Sequence, residues 1–475
     1  MARELLSYPQ MHLRPRIASL AATWLVAGAL CAAAGCASPP AREEILRERA
    51  DVAPPTAPRS AAPSDEQQRF VRSVDSIESA ITRRPLVPGN RVTLLADGPV
   101  THAAQLAAIA HARRHVHLIT YILTDDAIGR KYRDVLIERA RAGVRVRVMY
   151  DGFGGVMVGP AFREALERAG VEVHEYASIN PLSQPEVWRV TQRNHRKLLV
   201  VDGRIAFTGG INIDDSYSMS ASAGSSEHGW RDTQIRIEGP AVAEFQRLFF
   251  ADWEREVGPI RDEARYWPTL QPRGGEWVRA VAKRGADVSD LFRNRFVRFV
   301  RTHVDRHRHA IYASYLAAIS ESRKRVWITQ AYFAPNAEFR DALVRAARRG
   351  CDVRLIVPAN NDVGLVYYAS RHQYAPLLQA GVRIFEYQGT VLHAKTAVVD
   401  GVWSTVGSSN LDYQSFVHND EANATIIGAA FAREMERMFE RDLANAHEVT
   451  LDAWRERPIR DRMLQALANQ LKYWI

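Results

Sequence analysis

The sequence writes one chemical pattern twice. His195-Arg196-Lys197 is followed after four residues by Asp202, and then by Gly209-Gly210-Ile211-Asn212. His393-Ala394-Lys395 is followed after four residues by Asp400, and then by Gly407-Ser408-Ser409-Asn410. Composition alone would place about 0.01 copies of His-x-Lys-x4-Asp in such a chain. Only six lysines are present, at 131, 197, 283, 324, 395 and 472, and two of the six stand two residues after a histidine. Imidazoles exchange protons near neutral pH and also attack as nucleophiles. Lysine and asparagine beside them offer a cation and a hydrogen-bond donor to an anionic oxygen. The pattern therefore points to acid–base or nucleophilic work on an anionic group, with charge supplied by side chains. No metal and no other cofactor is expected.

Those residues need rigid elements to hold them. Between each His and its Asp the text is strand-like (Leu198-Leu199-Val200-Val201 and Thr396-Ala397-Val398-Val399), and Asp-Gly then precedes a second apolar run. This predicts a β-hairpin with an Asp-Gly turn in each half. Residues i and i+2 of a strand share a face, so each His and its Lys point together. Asp202 and Asp400 have two readings here, a catalytic carboxylate or the turn residue alone. The repeat extends outward: His115–Thr120 is answered by Arg325–Gln330, and Ala169–Tyr176 by Ala380–Tyr387. Strands alternate with Gly-closed helices, so the fold class is α/β. Two similar domains are expected, at 86–268 and 269–475, with the boundary where Pro268, Pro272, Gly274 and Gly275 cluster. The first half carries an insertion from Ala177 to Gln192, beside the first His.

Several other segments have bland readings. His111, His115 and His117 read as a helix end and a buried strand rather than a metal site. Asp305–His309 reads as a solvated helical face. In residues 288–304, Leu291, Phe292, Phe296, Phe299 and Val300 recur at helical spacing with Arg293, Arg295, Arg298 and Arg301 between them. That predicts an amphipathic helix, either packed on the core or lying on an anionic membrane.

The 475 residues hold 63 Lys plus Arg against 54 Asp plus Glu, a net charge of +9 that favours anionic partners. With 47% hydrophobic and 25% charged residues the chain is globular, and three cysteines exclude a disulfide scaffold or a four-cysteine zinc site. Only one segment is apolar enough to span a bilayer, which excludes a multi-pass protein. Arg3, Arg14 and Arg16 precede an uncharged run from Ile17 to Ala34 and then Gly35-Cys36. Residues 1–36 read as a signal peptide or lipoprotein-type leader with Cys36 as the lipidation site; the alternative is an uncleaved single anchor. Both export the chain and hold it at a membrane, on the periplasmic side. Residues 37–85 read as a flexible linker rich in Ala, Pro and Ser. Cys351 is then left without a disulfide partner.

The paired motifs resemble the HKD motifs of the phospholipase D superfamily, and the chain is similar to bacterial cardiolipin synthases from residue 90 to 430. The resembling stretches include Asn194-His195-Arg196-Lys197, Gly229-Trp230-Arg231-Asp232, Ala331-Tyr332-Phe333-Ala334-Pro335, Leu392-His393-Ala394-Lys395-Thr396 and Asn419-Asp420-Glu421. The resemblance implies two phospholipase D-like α/β domains, each a mixed sheet flanked by helices, related by a pseudo-two-fold with one active site at their interface. It implies His195 as nucleophile and His393 as general acid/base, with Lys197, Lys395, Asn212 and Asn410 holding the phosphoryl oxygens. Aligning Gly239 with Gly428 sets Asp232 opposite Glu421, and these are the candidate carboxylates that orient the two imidazoles. The implied activity is a phosphatidyltransferase that makes cardiolipin and glycerol from phosphatidylglycerol. The partner is then an anionic phospholipid membrane containing phosphatidylglycerol, with no nucleic acid expected; the oligomeric state stays open. A phospholipase D that hydrolyses phospholipid or transfers to other alcohols shares every one of these residues. An extracytoplasmic nuclease and a non-catalytic lipid-binding scaffold are the more distant alternatives.

Overall fold

A computed structural model of the chain describes residues 64–179, 192–221, 229–261, 266, 295–302 and 309–471. All belong to one compact unit, Ser60–Ile475. The leader 1–36, the domain boundary at 268, most of the insertion after Ala177 and all but the last residue of Asp305–His309 lie outside the described residues.

The first half runs α1 (Asp65–Thr82), β1 (Val87–Ala96), α2 (Gly98–Ala110), β2 (His115–Thr120), α3 (Ala127–Arg141), β3 (Arg145–Asp151), α4 (Pro160–Arg168) and β4 (Glu172–Tyr176). It continues through β5 (Arg193–Asn194), β6 (Leu198–Val201), β7 (Ile205–Gly209), β8 (Thr233–Glu238) and α5 (Val242–Glu256). The second half runs β9 (Arg295–Thr302), α6 (Ala310–Glu321), β10 (Arg325–Gln330), α7 (Ala337–Arg348), β11 (Asp352–Pro358), α8 (Gly364–His372), α9 (Tyr374–Gln379) and β12 (Arg383–Tyr387). It closes with β13 (Lys395–Val399), β14 (Trp403–Gly407), β15 (Asn419–Ile427), α10 (Ala429–Leu443), β16 (Ala446–Val449), α11 (Leu451–Arg455) and α12 (Ile459–Leu471).

These strands form one mixed sheet, ordered β16-β12-β11-β10-β13-β14-β15-β9-β1-β8-β7-β6-β2-β3-β4, with β5 paired to β15. Outward from the middle, β9-β15-β14-β13-β10-β11-β12 repeats β1-β8-β7-β6-β2-β3-β4. The antiparallel pairing of β1 with β9 joins the two halves into a continuous sheet. β2, β3 and β4 are parallel, as are β10, β11 and β12, and the motif hairpins add antiparallel strands beside them. The α/β class and the mixed sheet are as the sequence predicts. Helices close on glycines at positive φ, Gly143 and Gly170 in one half and Gly350 and Gly381 in the other, a conformation only glycine adopts without cost.

Both faces of the sheet are buried, and side chains alternate between them. Leu198 and Val200 enter a core that spans both halves beneath α5 and α10, while Leu199 and Val201 enter the core under α2, α3 and α4. The second half has its own outer core, which includes Phe70, Val71 and Val74 of α1.

Two expectations are corrected. The linker expected over 37–85 is a helix over Asp65–Thr82, capped by Ser64 and packed on the second half. The amphipathic helix expected within 288–304 is the strand β9 over its described part, Arg295–Thr302. The two corrections share a cause. β9 lies between β1 and β15, so both of its edges are paired, its two faces enter opposite cores, and Arg298 is fully buried. A buried guanidinium requires anionic and hydrogen-bonding partners. α1 supplies them, since Arg298 pairs with Glu78 and Asp75 and donates to Ser79 Oγ at 2.7 Å.

Candidate functional site

Each motif hairpin turns through two residues at positive φ, Asp202 (53°) with Gly203 (63°) and Asp400 (50°) with Gly401 (68°), as a two-residue hairpin turn of the primed type requires. The carboxylate of Asp202 accepts from the backbone N–H groups of Arg113 (2.9 Å), Arg114 (2.7 Å) and His115 (2.9 Å). That of Asp400 accepts from Arg323 (2.8 Å), Lys324 (2.9 Å) and Arg325 (2.9 Å). Five residues of extended chain set each Asp roughly 16 Å from its Lys. Asp202 and Asp400 are therefore not at the site with the histidines. They fasten the hairpin tips to the starts of β2 and β10, and the catalytic reading of both is corrected on that ground.

The other end of each hairpin is built by the opposite half. β5 runs parallel to the start of β15, and His195 N donates to Asp420 O at 3.0 Å. Symmetrically, Arg231 N donates to Val391 O and His393 N to Arg231 O, at 2.9 and 2.7 Å. The residue after each clamp then delivers a carboxylate. Glu421 Oε1 lies 2.9 Å from His195 Nδ1, and Asp232 Oδ2 lies 2.7 Å from His393 Nδ1. Buried arginines brace the clamps: Arg231 is bidentate to Asp442, both contacts 2.8 Å, and Arg196 pairs with Asp252 and Asp420. With Nδ1 engaged, Nε2 of each ring has no hydrogen-bond partner among the described residues and is the atom available to a substrate.

Lys197 and Lys395 each fold back onto the backbone carbonyl of their own histidine, Lys197 at 2.6 Å. Asn212 Oδ1 accepts from Ile122 N (3.1 Å) and its Nδ2 donates to Tyr217 Oη (3.1 Å), whose hydroxyl is 3.1 Å from His393 Nδ1. Asn410 N donates to Ser415 Oγ (3.1 Å), while its buried Oδ1 has no hydrogen-bond partner among the described residues. The two histidines, the two lysines, Asn212, Asn410, Asp232 and Glu421 thus converge, and the charges of the two halves act on one another. His393 feels Lys395, Lys197 and His195, and Lys197 feels Lys395.

Burial dominates the electrostatics. It pulls Lys197 down to about 7 and Lys395 to about 8, and it lowers both histidines, His393 the more strongly. This is a cationic cradle destabilised by its own desolvation, and an entering anion would restore its charge. The carboxylates differ. Burial lifts Asp232 to about 6 against the pull of Lys395. Burial works to raise Glu421 as well, yet His195, Lys197 and Ser408 hold it below the usual range. Glu421 receives hydroxyls from Ser408 and, at 2.9 Å, Ser415. In place of Ser408 the first half has Gly210, where a Cβ would lie 2.2 Å from Asp232 Oδ1.

Sequence reasoning missed several of these neighbours. Tyr121 lies edge-on to His195 at 4.8 Å, and Tyr332 to His393 at 6.4 Å. Each follows a repeated strand, which was a usable signal. Tyr217 and Ser415 each sit five residues after an Asn of the motif. His115 and His117 are not a metal site. Gln246 bridges them, its Oε1 2.8 Å from His115 Nε2 and its Nε2 2.7 Å from His117 Nδ1, inside the core, while His111 stands exposed on Ala107 O. Among the described residues no helix is long and apolar enough to cross a membrane.

Comparison with known proteins shows the family. The family described as cardiolipin synthase, PLD-like domain, matches residues 106–253 and 315–443. The cardiolipin synthase of Geobacillus kaustophilus is 33% identical over 396 residues, 82% of this chain and 74% of that protein. The cardiolipin synthase of Alkalihalophilus pseudofirmus is 31% identical over 392 residues, 82% of this chain and 73% of that protein. The crystal structure of phosphatidylserine synthase from Haemophilus influenzae superposes with a TM-score of 0.62 at 13% identity, covering 84% of this chain and 97% of that one, a likeness of fold. With the motif present in both halves and the family matched in both, the chain belongs to the phospholipase D-like cardiolipin synthase family.

Proposed function

We propose that the chain is a phosphatidyltransferase of the cardiolipin synthase type, joining two phosphatidylglycerols into cardiolipin with release of glycerol. The observation that carries this reading is the crossed clamp, in which each imidazole is oriented by a carboxylate from the other half beside two buried lysines. Two inequivalent imidazoles facing one anion site suit a double displacement. Nε2 of His195 attacks phosphorus and the bond to the glycerol oxygen breaks, that oxygen taking the proton from Nε2 of His393. His393, now neutral, accepts the proton of an incoming phosphatidylglycerol hydroxyl, whose oxygen displaces His195 from phosphorus. Lys197, Lys395, Asn212 and Asn410 hold the non-bridging oxygens throughout.

The carboxylates support the assignment of roles. Glu421, held anionic among three donors, draws the Nδ1 proton of His195 and strengthens Nε2 as a nucleophile. Asp232 is less readily ionised and so stabilises the His393 imidazolium less, and His393 Nδ1 also faces the hydroxyl of Tyr217, which suits a group that gives its proton away. Residues 86–268 and 269–475 would each contribute half of the site. The leader, with Cys36 lipidated, would hold it at the periplasmic face of a membrane.

The test is to incubate the full chain with phosphatidylglycerol vesicles and EDTA, following cardiolipin, phosphatidic acid and glycerol. Cardiolipin and glycerol in equal amounts, abolished by His195→Ala, are expected. Phosphatidic acid without cardiolipin would make the chain a phospholipase D hydrolase with the same site. No turnover of lipid would reject both.

A further inference from the structure

The rim of the site carries two apolar surfaces that the reaction does not use. One is the loop after β3. Its base is fixed to the site, because Asp151 accepts from Phe153 N and from Asn194 N, both at 2.9 Å. A Cβ at Gly154 would fall 2.0 Å from Tyr121 O, and Tyr121 is the ring against His195. From that base Phe153 (61% exposed), Val156 (62%) and Met157 (58%) project into solvent.

The other surface belongs to the second half. The loop after β11 holds Tyr332, the ring against His393, through Asp362 at 2.8 Å, and leads directly into α8. α12 packs on α8 through Ala468, against Ala369, Leu365 and Tyr368. Its outer face presents Ile459 (70% exposed), Met463 (67%), Leu467 (61%) and Leu471 (42%), a stripe at i, i+4, i+8 and i+12. Arg460 and Arg462 stand exposed on the same helix.

Exposed apolar clusters of this kind mark an interaction surface. Most of the large apolar side chains exposed among the described residues stand in these two places. One is tied to the His195 side through Tyr121 and the other to the His393 side through Tyr332, Asp362 and α8, so one partner must be broad enough to meet both sides of one mouth. It must also accept aliphatic side chains with arginines beside them. A bilayer containing anionic phospholipid has that breadth and that layering of headgroup over hydrocarbon. We propose that Phe153, Val156 and Met157, together with the Ile459–Met463–Leu467 stripe, dock the mouth of the site onto such a bilayer, setting the reacting imidazoles at headgroup depth. This rests on the reading of a phospholipid substrate above, and it assigns membrane contact to these residues rather than to residues 288–304.

The test compares the full chain with F153S/M157S and M463S/L467S on two substrates. These are long-chain phosphatidylglycerol in vesicles and dihexanoyl phosphatidylglycerol dispersed as monomers. At least a tenfold loss on vesicles is expected for each variant, with the monomer rate unchanged within twofold. Equal rates on vesicles would overturn the proposal, and so would parallel loss on both substrates, which would mean a role in folding. A chain that sediments as a dimer without lipid, with monomeric variants, would make the surface a contact between copies and overturn it too. A second readout is independent of turnover: F153W in vesicles of brominated phosphatidylglycerol should be quenched more than the unaltered chain. Absence of extra quenching would reject docking even if the substrate reading failed.

Discussion

Glu421 meets His195 across the seam between the halves, Oε1 to Nδ1 at 2.9 Å, from 226 positions away in the chain. Asp232 meets His393 in the reciprocal contact. Neither half can orient its own imidazole, so closing the seam and assembling the site are one event.

The first prediction concerns these carboxylates. Glu421→Gln and Asp232→Asn keep shape and remove charge, and each should lower kcat by about 10²–10⁴ while moving KM little. If His195 is the nucleophile, Glu421→Gln slows the first release of glycerol, which rapid-quench measurement reads directly. A glycerol burst at the unaltered rate in Glu421→Gln would show that this carboxylate does not prepare His195 for the first step, since that step uses both histidines.

The second concerns pH. Burial first of all brings Lys197 to about 7 and Lys395 to about 8. A lowered lysine carries its charge below that value and loses it above, so an anionic substrate must restore the proton as it binds. Log kcat/KM should therefore fall as pH rises from 7 to 9, by up to about tenfold per unit for each lysine reprotonated. A flat profile across that range would show that the lysines stay charged in the free site.

The hairpins, the parallel strands and the helix-closing glycines were legible because their causes are local: side-chain period, Asp-Gly turns and positive φ. Asp232 and Glu421 were reachable from the alignment of the halves, but not which histidine each would serve, since that depends on how the halves face each other. Residues 288–304 misled for a related reason. Phe296, Phe299 and Val300 fit a helical face as well as a strand buried on both sides. What decides is the presence of β1 and β15 on either edge, elements distant in sequence.

The third prediction separates turn from catalyst. Asp202→Ala and Asp400→Ala each remove the acceptor for three backbone N–H groups. Each should cost about 1–3 kcal/mol of stability in urea unfolding. At a temperature where the protein stays folded, kcat should remain within about threefold of the unaltered chain, because neither carboxylate reaches the histidines. A loss of 10³ or more in kcat, with stability intact, would restore the catalytic reading.

The fourth treats α1 as part of the fold. Glu78 is buried and takes Arg298, Ser314 and, at 3.1 Å, Trp403 Nε1 as partners. It therefore links the segment before β1 to the strand beside β15. Arg298→Met leaves Glu78 without its cation and should cost about 3–5 kcal/mol. Pairing it with Glu78→Gln should return much of that loss, because neither member is then a lone buried charge. β9 places Thr302 opposite Glu421, and Thr302 O accepts from Arg196 at 2.9 Å. Weakening this strand should consequently lower the temperature of irreversible inactivation before it lowers kcat at 25 °C. Deletion of residues 64–84 should cost at least as much as Arg298→Met, since it strips Arg298 of Glu78, Asp75 and Ser79 and removes Phe70, Val71 and Val74 from the core. If that deletion leaves urea unfolding unchanged, α1 is a tether after all and the packing of Glu78 on Arg298 contributes nothing to the fold.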